Sequence, residues 1–248
     1  MKPAKDLFST QAAVYANFRP HYPDELYEFI YSKVKSFERA WDCGTGNGQV
    51  ANRLAEKFLL VEASDVSAKQ IEHATKNPKV NYAVCRGEQT TYPDHCFDLI
   101  TVGTAIHWFD FDSFYKEVRR VAKPGALLAV WAYEPPQTSE ALDAIMNRFN
   151  LEDMKAYWNP ERKYVDDGYR FLPFPFEEIS APKFFIRDEW TIEQYIGYIQ
   201  SWSAVQNYRN KEGKDPVPSV ATEIHSAWGT QPKRKITFPL MTKFALIN

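Results

Sequence analysis

The chain has 248 residues, of which 44% are hydrophobic, and its formal net charge is −2. This composition is sufficient for a folded core and lacks the basic excess of nucleic-acid-binding proteins. No apolar run reaches the roughly 20 residues that cross a membrane, and the first residues lack the apolar centre of a signal peptide.

The cysteines and histidines predict neither a disulfide framework nor a metal site. Cys43, Cys85 and Cys96 form no C-x-x-C pair and no even set. The five histidines show no metal-ligand spacing. We therefore expect a cytoplasmic protein that has no metal, nucleic acid or membrane as a partner.

Helix and strand patterns alternate over the first part of the chain. The predicted helices cover residues 23–34, 49–58, 67–76 and 112–122, and the predicted strands cover residues 38–43, 59–65, 81–85, 97–102 and 126–133. Strands that alternate with helices predict an α/β fold whose parallel sheet is doubly wound with right-handed crossovers.

The alternation ends after Pro135 and Pro136. Helices are predicted for residues 139–150 and 191–205, and a strand interrupted by Pro239 is predicted for residues 235–247. We interpret residues 1–136 as a core with an N-terminal flap (1–23), residues 137–230 as a helical cap, and residues 231–248 as the last strand of the core sheet. Ordinary helical packing of the cap segment on the sheet is the alternative.

Three glycines at alternate positions follow the first predicted strand. Gly44, Gly46 and Gly48 let the backbone turn tightly and approach a ligand closely, because they carry no Cβ atom. Asp65 ends the second predicted strand, where α/β domains place the carboxylate that binds ribose hydroxyls. Capping of the next helix is the alternative role for Asp65. Together these residues predict a site for an adenosine-containing cofactor.

The details of the glycine loop discriminate between such cofactors. A dinucleotide loop has the pattern G-x-G-x-x-G, whereas this chain has G-x-G-x-G followed by Gln49. Asp42, just before the loop, would repel a pyrophosphate but suits a cationic group such as the amine of S-adenosylmethionine. No Lys-Ser/Thr pair follows the glycines, which argues against nucleoside triphosphate hydrolysis. A tight turn that binds no ligand is the remaining alternative.

These residues carry a resemblance to a known family. The glycine loop with Asp42, the acid at Asp65, Gly87-Glu88 after the third strand and the start of the fourth strand at residues 97–100 are similar to class I S-adenosylmethionine-dependent methyltransferases. Within that superfamily the chain resembles the small-molecule group that contains trans-aconitate methyltransferase, because of residues 8–23 and 105–110. The resemblance implies a mostly parallel, seven-stranded, Rossmann-like sheet and S-adenosyl-L-methionine as the cofactor.

The resemblance also implies roles for the residues around the glycine loop. Asp42, Gly44 and Gly46 would line the methionine part of the cofactor. Asp65 would bind the ribose, and Val66 would lie beside the adenine.

Further along the chain, the resemblance implies four more cofactor contacts. Glu88 and the backbone of Gln89 would meet the adenine edge, and Gly103 and Thr104 would face the amine and the sulfonium. Many relatives carry Asp-Ala or Ala-Glu at the Gly87-Glu88 position, so the chain departs from the family pattern at the adenine contact.

His107 and Trp108 follow the fourth predicted strand, at the edge where α/β proteins bind ligands. His107 is either a packed loop residue or a general base, and Trp108 is either a core anchor or a wall of the acceptor pocket. We take both as the candidate catalytic residues.

Two aromatic groups lie outside this region. Phe8, Tyr15, Arg19 and Tyr22 are interpreted as a flap over the cofactor, in which Arg19 pairs with the cofactor carboxylate or an acidic substrate. An amphipathic helix with Arg19 in solvent is the alternative. Tyr195, Tyr198 and Trp202 share one helix face and form either core or a substrate wall.

We expect an enzyme that transfers a methyl group from S-adenosylmethionine to a small-molecule acceptor. A carboxylate acceptor, which the subgroup resemblance suggests, is ionised near neutral pH because its pKa is about 4, so it needs no base. A phenol, alcohol or amine would require His107 as the base. A non-catalytic S-adenosylmethionine-binding protein and a nicotinamide-dependent oxidoreductase are the alternatives. The oxidoreductase would be expected to have the third glycine of the dinucleotide pattern and no acid at the position of Asp42.

Overall fold

The structure is a computed structural model that describes residues 20–248. Its sheet has seven strands in the order β3-β2-β1-β4-β5-β7-β6. The strands are β1 Arg39–Cys43, β2 Leu60–Asp65, β3 Val80–Val84, β4 Phe97–Gly103, β5 Ala122–Tyr133, β6 Phe185–Trp190 and β7 Arg234–Ile247. Strands β1 to β5 are parallel, and β7 runs antiparallel to both β5 and β6. The fold is the expected Rossmann-like α/β sheet.

Helices flank the sheet, and they also make up much of the chain between β5 and β7. In the described residues the α-helices are α1 Asp24–Lys33, α2 Gln49–Leu54, α3 Ala68–Glu72, α4 Phe111–Val121, α5 Glu140–Arg148, α6 Lys163–Asp166, α7 Ile192–Gln200, α8 Ser203–Glu212 and α9 Val217–Trp228, and short 3-10 helices cover Ile106–Trp108 and Pro160–Arg162. None of these helices has the length and apolar character that a membrane crossing requires.

Two hydrophobic clusters lie on opposite faces of the sheet. Along β5, Leu127 and Ala129 belong to one cluster, whereas Leu128 and Val130 belong to the other. This alternation follows from the strand geometry, in which successive side chains point to opposite faces. The continuous apolar run of β5 is therefore buried on both sides, as a central strand of a doubly wound sheet requires.

The first five predicted strands are confirmed, and their carboxyl ends define the site. Ser67 is the N-cap of α3, since its side chain accepts a hydrogen bond from the Gln70 N–H. The strand β5 begins earlier than predicted, at Ala122. Because β1, β2 and β4 are parallel, the residues that follow Cys43, Asp65 and Gly103 meet at one edge of the sheet.

The second half of the chain differs from the prediction in two elements. The predicted helix 191–205 is two helices, because the chain turns at Ser201, whose Oγ donates to the Tyr198 carbonyl at 2.6 Å, and Trp202 is extended. The strand β6, which lies inside residues 137–230, was not predicted. In β6, Arg187, Asp188 and Glu189 are all exposed, so this edge strand lacks the alternation that identifies a strand.

Pro239 does not interrupt β7. Residues up to Pro239 pair with β6, and residues from Leu240 pair with β5. The proline lies where the strand passes from one partner to the other, a position at which a missing N–H is tolerated.

Candidate functional site

The glycine loop between β1 and α2 adopts a conformation that requires glycine. Gly44, Gly46 and Gly48 have φ angles of +72°, +55° and +83°. The N–H groups of Gly44 and Thr45 both donate to the Ser64 carbonyl, at 2.8 and 3.0 Å, and this fixes the loop to β2. A Cβ atom on Gly44 would lie 2.5 Å from the Ala105 Cβ. The loop after β1 is therefore packed directly on the loop after β4.

Asp42 is a buried carboxylate beneath this loop. Its oxygens accept hydrogen bonds from Thr45 Oγ1 at 2.5 Å and from Thr101 Oγ1 at 2.9 Å. Burial raises the pKa of Asp42 to about 6, and no cationic side chain of residues 20–248 compensates. A buried carboxylate without a cation is costly, so a cationic ligand group would stabilise it.

Asp65 is held at the end of β2 by two backbone donors. Its Oδ2 accepts the Gly46 N–H and its Oδ1 accepts the Ser67 N–H, both at 2.9 Å. Carboxylates accept hydroxyl hydrogens well, which is the hydrogen bond that a ribose would make with Asp65. The N-cap of α3 is Ser67, not Asp65, which removes the helix-capping alternative.

Three cavities adjoin at this edge of the sheet. The glycine-loop cavity contains Asp42 and Thr45, the strand-edge cavity contains Asp65 and Val66, and the aromatic cavity contains His107 with several aromatic rings. Gly44, Gly46 and Gly103 line both of the first two cavities. The strand-edge and aromatic cavities each measure about 650 Å³ including their open mouths, which is enough for a drug-sized ligand.

Thr104 and Trp108 line both the strand-edge cavity and the aromatic cavity. Thr104 has a φ of +55°, which is rare for a β-branched residue and indicates backbone strain. Its N–H donates to the Trp131 carbonyl at 2.7 Å, and its Oγ1 is hydrogen-bonded to the Tyr22 hydroxyl at 2.9 Å. Strained residues of this kind concentrate at functional sites, and this one lies at the junction of two cavities.

His107 is buried, and its ring faces the aromatic cavity. Its Nδ1 is hydrogen-bonded to the Tyr169 hydroxyl at 3.0 Å. Burial, together with the charge of Arg162, lowers the pKa of His107 to about 3. The imidazole is therefore neutral at physiological pH and is a weak base. It can still form a hydrogen bond with a ligand.

The remaining predicted site residues are distributed as follows. Glu88 is buried, and its carboxylate accepts from Arg86 Nη2 at 3.0 Å and from the Asp110 N–H at 3.1 Å. Neither Glu88 nor Gln89 lines the strand-edge cavity, whereas Cys85 and Gly87 do, so the adenine contact of Glu88 and Gln89 stays a prediction. Phe8, Tyr15 and Arg19 lie outside the described residues.

The aromatic cavity also uses residues that the sequence did not single out. The stripe of Tyr195, Tyr198 and Trp202 is buried, and its last two rings also line the cavity. The missed lining residues include Tyr133, Trp158, Asn159 and Arg162. No motif marks them, and the concentration of aromatic residues around Trp158 is the one available signal. Residues 20–248 contain no group of three side chains suited to a metal ion.

The described residues fit S-adenosylmethionine. Asp42 offers an uncompensated buried charge for an ammonium, and Asp65 offers a fixed acceptor for ribose hydroxyls. Gln70 Oε1 in the strand-edge cavity is buried without a hydrogen-bond partner in the described part of the chain. A ligand donor would satisfy it.

Comparisons with known proteins agree with this fit. Residues 41–130 match a family model described as a methyltransferase domain. A Dictyostelium discoideum protein classed by name among the methyltransferases is 34% identical over 229 residues, covering 91% of this chain and 87% of that protein. An uncharacterised methyltransferase of Schizosaccharomyces pombe is 29% identical and is covered to 86%.

A solved structure extends the similarity to the whole described fold. A protein from Anaeromyxobacter dehalogenans, described as a type II methyltransferase, superposes with a TM-score of 0.84 at 38% identity. The match covers 93% of this chain and 98% of that structure.

Gly44→Ala tests the loop geometry. We expect it to destabilise the fold by about 2–4 kcal/mol, because the new Cβ is both strained and overpacked against Ala105, and to abolish S-adenosylmethionine binding. Gly213→Ala is the matched control, since Gly213 has a φ of +66° but open space around it. Thermal unfolding and calorimetry measure both effects. Cofactor affinity of Gly44→Ala equal to that of the wild type would contradict the geometry.

The Asp42 carboxylate predicts a pH dependence of cofactor binding. Burial makes Asp42 take up a proton near pH 6, and the neutral form no longer attracts an ammonium, whose own pKa is about 8. We therefore expect the Kd for S-adenosylmethionine to rise as the pH falls from 7 to 5, by up to about tenfold per pH unit below 6.

Asp42→Asn should bind the cofactor more weakly at pH 7 and show a flat profile in calorimetry. Asp98→Asn is the control, because Asp98 is buried but pairs with Lys123 at 2.8 Å. It should keep the wild-type pH dependence. A sloping profile in Asp42→Asn would assign the titration to another group.

Proposed function

Because the chain belongs to the class I S-adenosylmethionine-dependent methyltransferases, we propose that it methylates a small-molecule acceptor bound in the aromatic cavity. The observation that carries the proposal is the shared wall between the cavities. Thr104 and Trp108 face both the strand-edge cavity, where the nucleoside would lie, and the aromatic cavity. A donor and an acceptor on the two sides would be adjacent, and proximity of this kind supplies much of the rate of a displacement.

The described residues have distinct tasks in this proposal. Asp42 and the glycine loop hold the ammonium end of the cofactor, and Asp65 holds the ribose with Val66 beside the adenine. Gly103 and Thr104 would face the sulfonium, and the bound cofactor would supply an electrophilic methyl group there. Glu88 and Gln89, and Arg19 from the flap, would complete the cofactor contacts.

The acceptor side is closed mainly by aromatic rings. Trp108, Tyr198 and Trp202 line the cavity and exclude water from the reacting atoms. In the proposed division of the chain, residues 137–230 form the cap that supplies most of this wall. The core at 1–136 binds the cofactor, and residues 231–248 supply β7, which joins β5 to the edge strand β6 of the cap segment.

We propose a carboxylate as the accepting group, in keeping with the subgroup resemblance. A carboxylate acceptor needs no general base. His107 would be a poor base, since its pKa is lowered to about 3. His107 would instead orient the acceptor through a hydrogen bond, while Tyr169 holds its Nδ1. A phenol, alcohol or amine acceptor would require a proton to be removed and is the weaker candidate.

The proposed partner is a small molecule, without nucleic acid or membrane. The location that we propose is the cytoplasm, since Cys43, Cys85 and Cys96 are all free thiols.

A screen with labelled S-adenosylmethionine tests the function. Small carboxylic acids, phenols and amines would be offered in parallel and the products analysed by mass spectrometry. We expect methyl esters of one class of acid. Methylation of a phenol or an amine alone would contradict the proposal that the accepting group is a carboxylate. Cofactor binding without any methylated product would support a non-catalytic binding protein.

The neutral state of His107 predicts the pH dependence of turnover. With both substrates saturating, kcat should stay flat between pH 6 and 8, because the carboxylate is already ionised and His107 does not titrate there. His107→Gln, which keeps a hydrogen-bonding side chain, should retain kcat within about tenfold, whereas loss of a general base costs about 10²- to 10⁴-fold.

The pH profile of His107→Gln provides the check. A wild-type profile that rises tenfold per pH unit with a midpoint near 7, and that becomes flat in His107→Gln, would establish His107 as a base and exclude this account.

A further inference from the structure

A further cavity lies beside the aromatic cavity and shares Pro135 and Val165 with it. It measures about 990 Å³ including its open mouth. We call it the acid-lined cavity, because its lining includes Glu134, Asp166 and Asp167. None of its lining residues lines the strand-edge cavity or the glycine-loop cavity. A ligand bound there would therefore contact a separate part of the protein.

Three distant elements bring oxygen acceptors to the acid-lined cavity. Glu134 directly follows β5, Asn150 lies in the π-helical turn Phe149–Asp153 after α5, and Asp167 directly follows α6. The Glu134 Oε1 lies 3.9 Å from the place that a Cβ atom on Gly168 would occupy. The carboxylate of Glu134 thus lies beside the turn that carries Asp167.

The charges of Glu134 and Asp167 are not balanced by an ion pair with any side chain of residues 20–248. Asp166 differs, because its Oδ1 accepts from Arg162 Nε at 2.9 Å. Arg170 also lines the cavity, but its Nε donates to the Asp167 backbone carbonyl at 3.2 Å and it forms no ion pair with a described carboxylate. Neighbouring carboxylates repel each other, and a bound cation would offset that repulsion.

Asn150 gives an independent indication of a ligand. It lines the cavity, is only 3% exposed, and its Oδ1 accepts no hydrogen bond from residues 20–248. The Oδ1 of Asp167 is likewise buried without a donor in the described part of the chain. A buried acceptor that stays unpaired costs free energy. The missing partner is therefore a group that carries hydrogen-bond donors as well as positive charge.

A primary ammonium meets both requirements. It has one positive charge and three N–H donors, which matches two carboxylates and one amide oxygen. An aliphatic amine is protonated at pH 7, since its pKa resembles the value of about 10 for lysine. Residues 20–248 contain no group of three His, Cys, Asp or Glu side chains suited to a metal ion. Pro135, Leu151 and Val165 add apolar surface for an alkyl stem.

The geometry points to a binding site for a small aliphatic amine in the acid-lined cavity, with Glu134, Asp167 and Asn150 as the acceptors of its ammonium group. The amine bound there is not the methyl acceptor, because Thr104 and Trp108 do not line this cavity. The amine site does not depend on which molecule occupies the aromatic cavity.

Matched ligands test the amine site without turnover. Calorimetry would compare hexylamine, 1-hexanol and hexyltrimethylammonium at physiological ionic strength, with S-adenosylhomocysteine saturating so that the Asp42 region is occupied. The three ligands share one alkyl stem. Hexanol lacks the charge, and hexyltrimethylammonium lacks the N–H donors. We expect hexylamine to bind roughly 10- to 100-fold more tightly than either, the range for charged hydrogen bonds.

Substitutions then locate the binding. Glu134→Gln and Asp167→Asn each remove one charge at nearly unchanged volume and should each weaken hexylamine binding about tenfold. Asn150→Leu should also weaken it, because an acceptor is lost. Arg170→Met should strengthen it, because a competing cation is removed.

The matched control is Asp153→Asn. Asp153 pairs with Arg148 at 2.8 Å and does not line the cavity, so this variant should keep the wild-type affinity for hexylamine. Thermal unfolding and S-adenosylhomocysteine affinity show for each variant that the fold is retained.

Several results would overturn the amine site. They are no binding of hexylamine, equal binding of hexylamine and hexyltrimethylammonium, or an unchanged hexylamine affinity in folded Glu134→Gln and Asp167→Asn variants. Binding of Mg²⁺ at these residues without binding of hexylamine would assign the cavity to a metal ion instead. Methylation in the labelled screen is decided independently, since the calorimetry transfers no methyl group.

Discussion

The buried carboxylate of Asp42 is the constraint around which the site is organised. It lies at the end of a central strand, receives hydroxyl donors from Thr45 and Thr101, and has no cation from residues 20–248 to balance it. A fold optimised only for stability would place an apolar residue there, since burial of an unpaired charge is costly. The carboxylate lies at a position where the glycine loop leaves room for a ligand. A cationic ligand group there would offset the free-energy cost of burying the charge and would be bound more tightly as a result.

The loops after β1, β2 and β4 depend on one another at this edge. Gly44 is in contact with Ala105, and the Gly46 N–H binds Asp65. The strained Thr104 is fixed by Trp131 and Tyr22. A shift in any one loop would therefore displace the others. This coupling holds together the residues that line the glycine-loop and strand-edge cavities, whereas the aromatic cavity is built from residues far apart in the chain.

Sequence patterns predicted the residues around the glycine loop much better than those that line the aromatic cavity. Gly44, Gly46, Asp42 and Asp65 belong to short local patterns, because a parallel strand followed by a tight turn has strict backbone requirements. The strands β1 to β5 were predictable for a similar reason, since strands buried on both faces are apolar throughout. In contrast, β6 is an exposed edge strand, and the break between α7 and α8 depends on the local turn at Ser201. Arg162 and Asn159 line the aromatic cavity, and Tyr169 contacts His107, only through tertiary packing, which leaves no sequence spacing to detect.

A crystal structure with S-adenosylhomocysteine tests the central claim most directly. The account predicts the ligand ammonium at the Asp42 side of the glycine loop, the ribose hydroxyls on the Asp65 carboxylate, and the sulfur facing Thr104 and Trp108 toward the aromatic cavity. A sulfur directed away from that junction, or a ribose that does not contact Asp65, would contradict it.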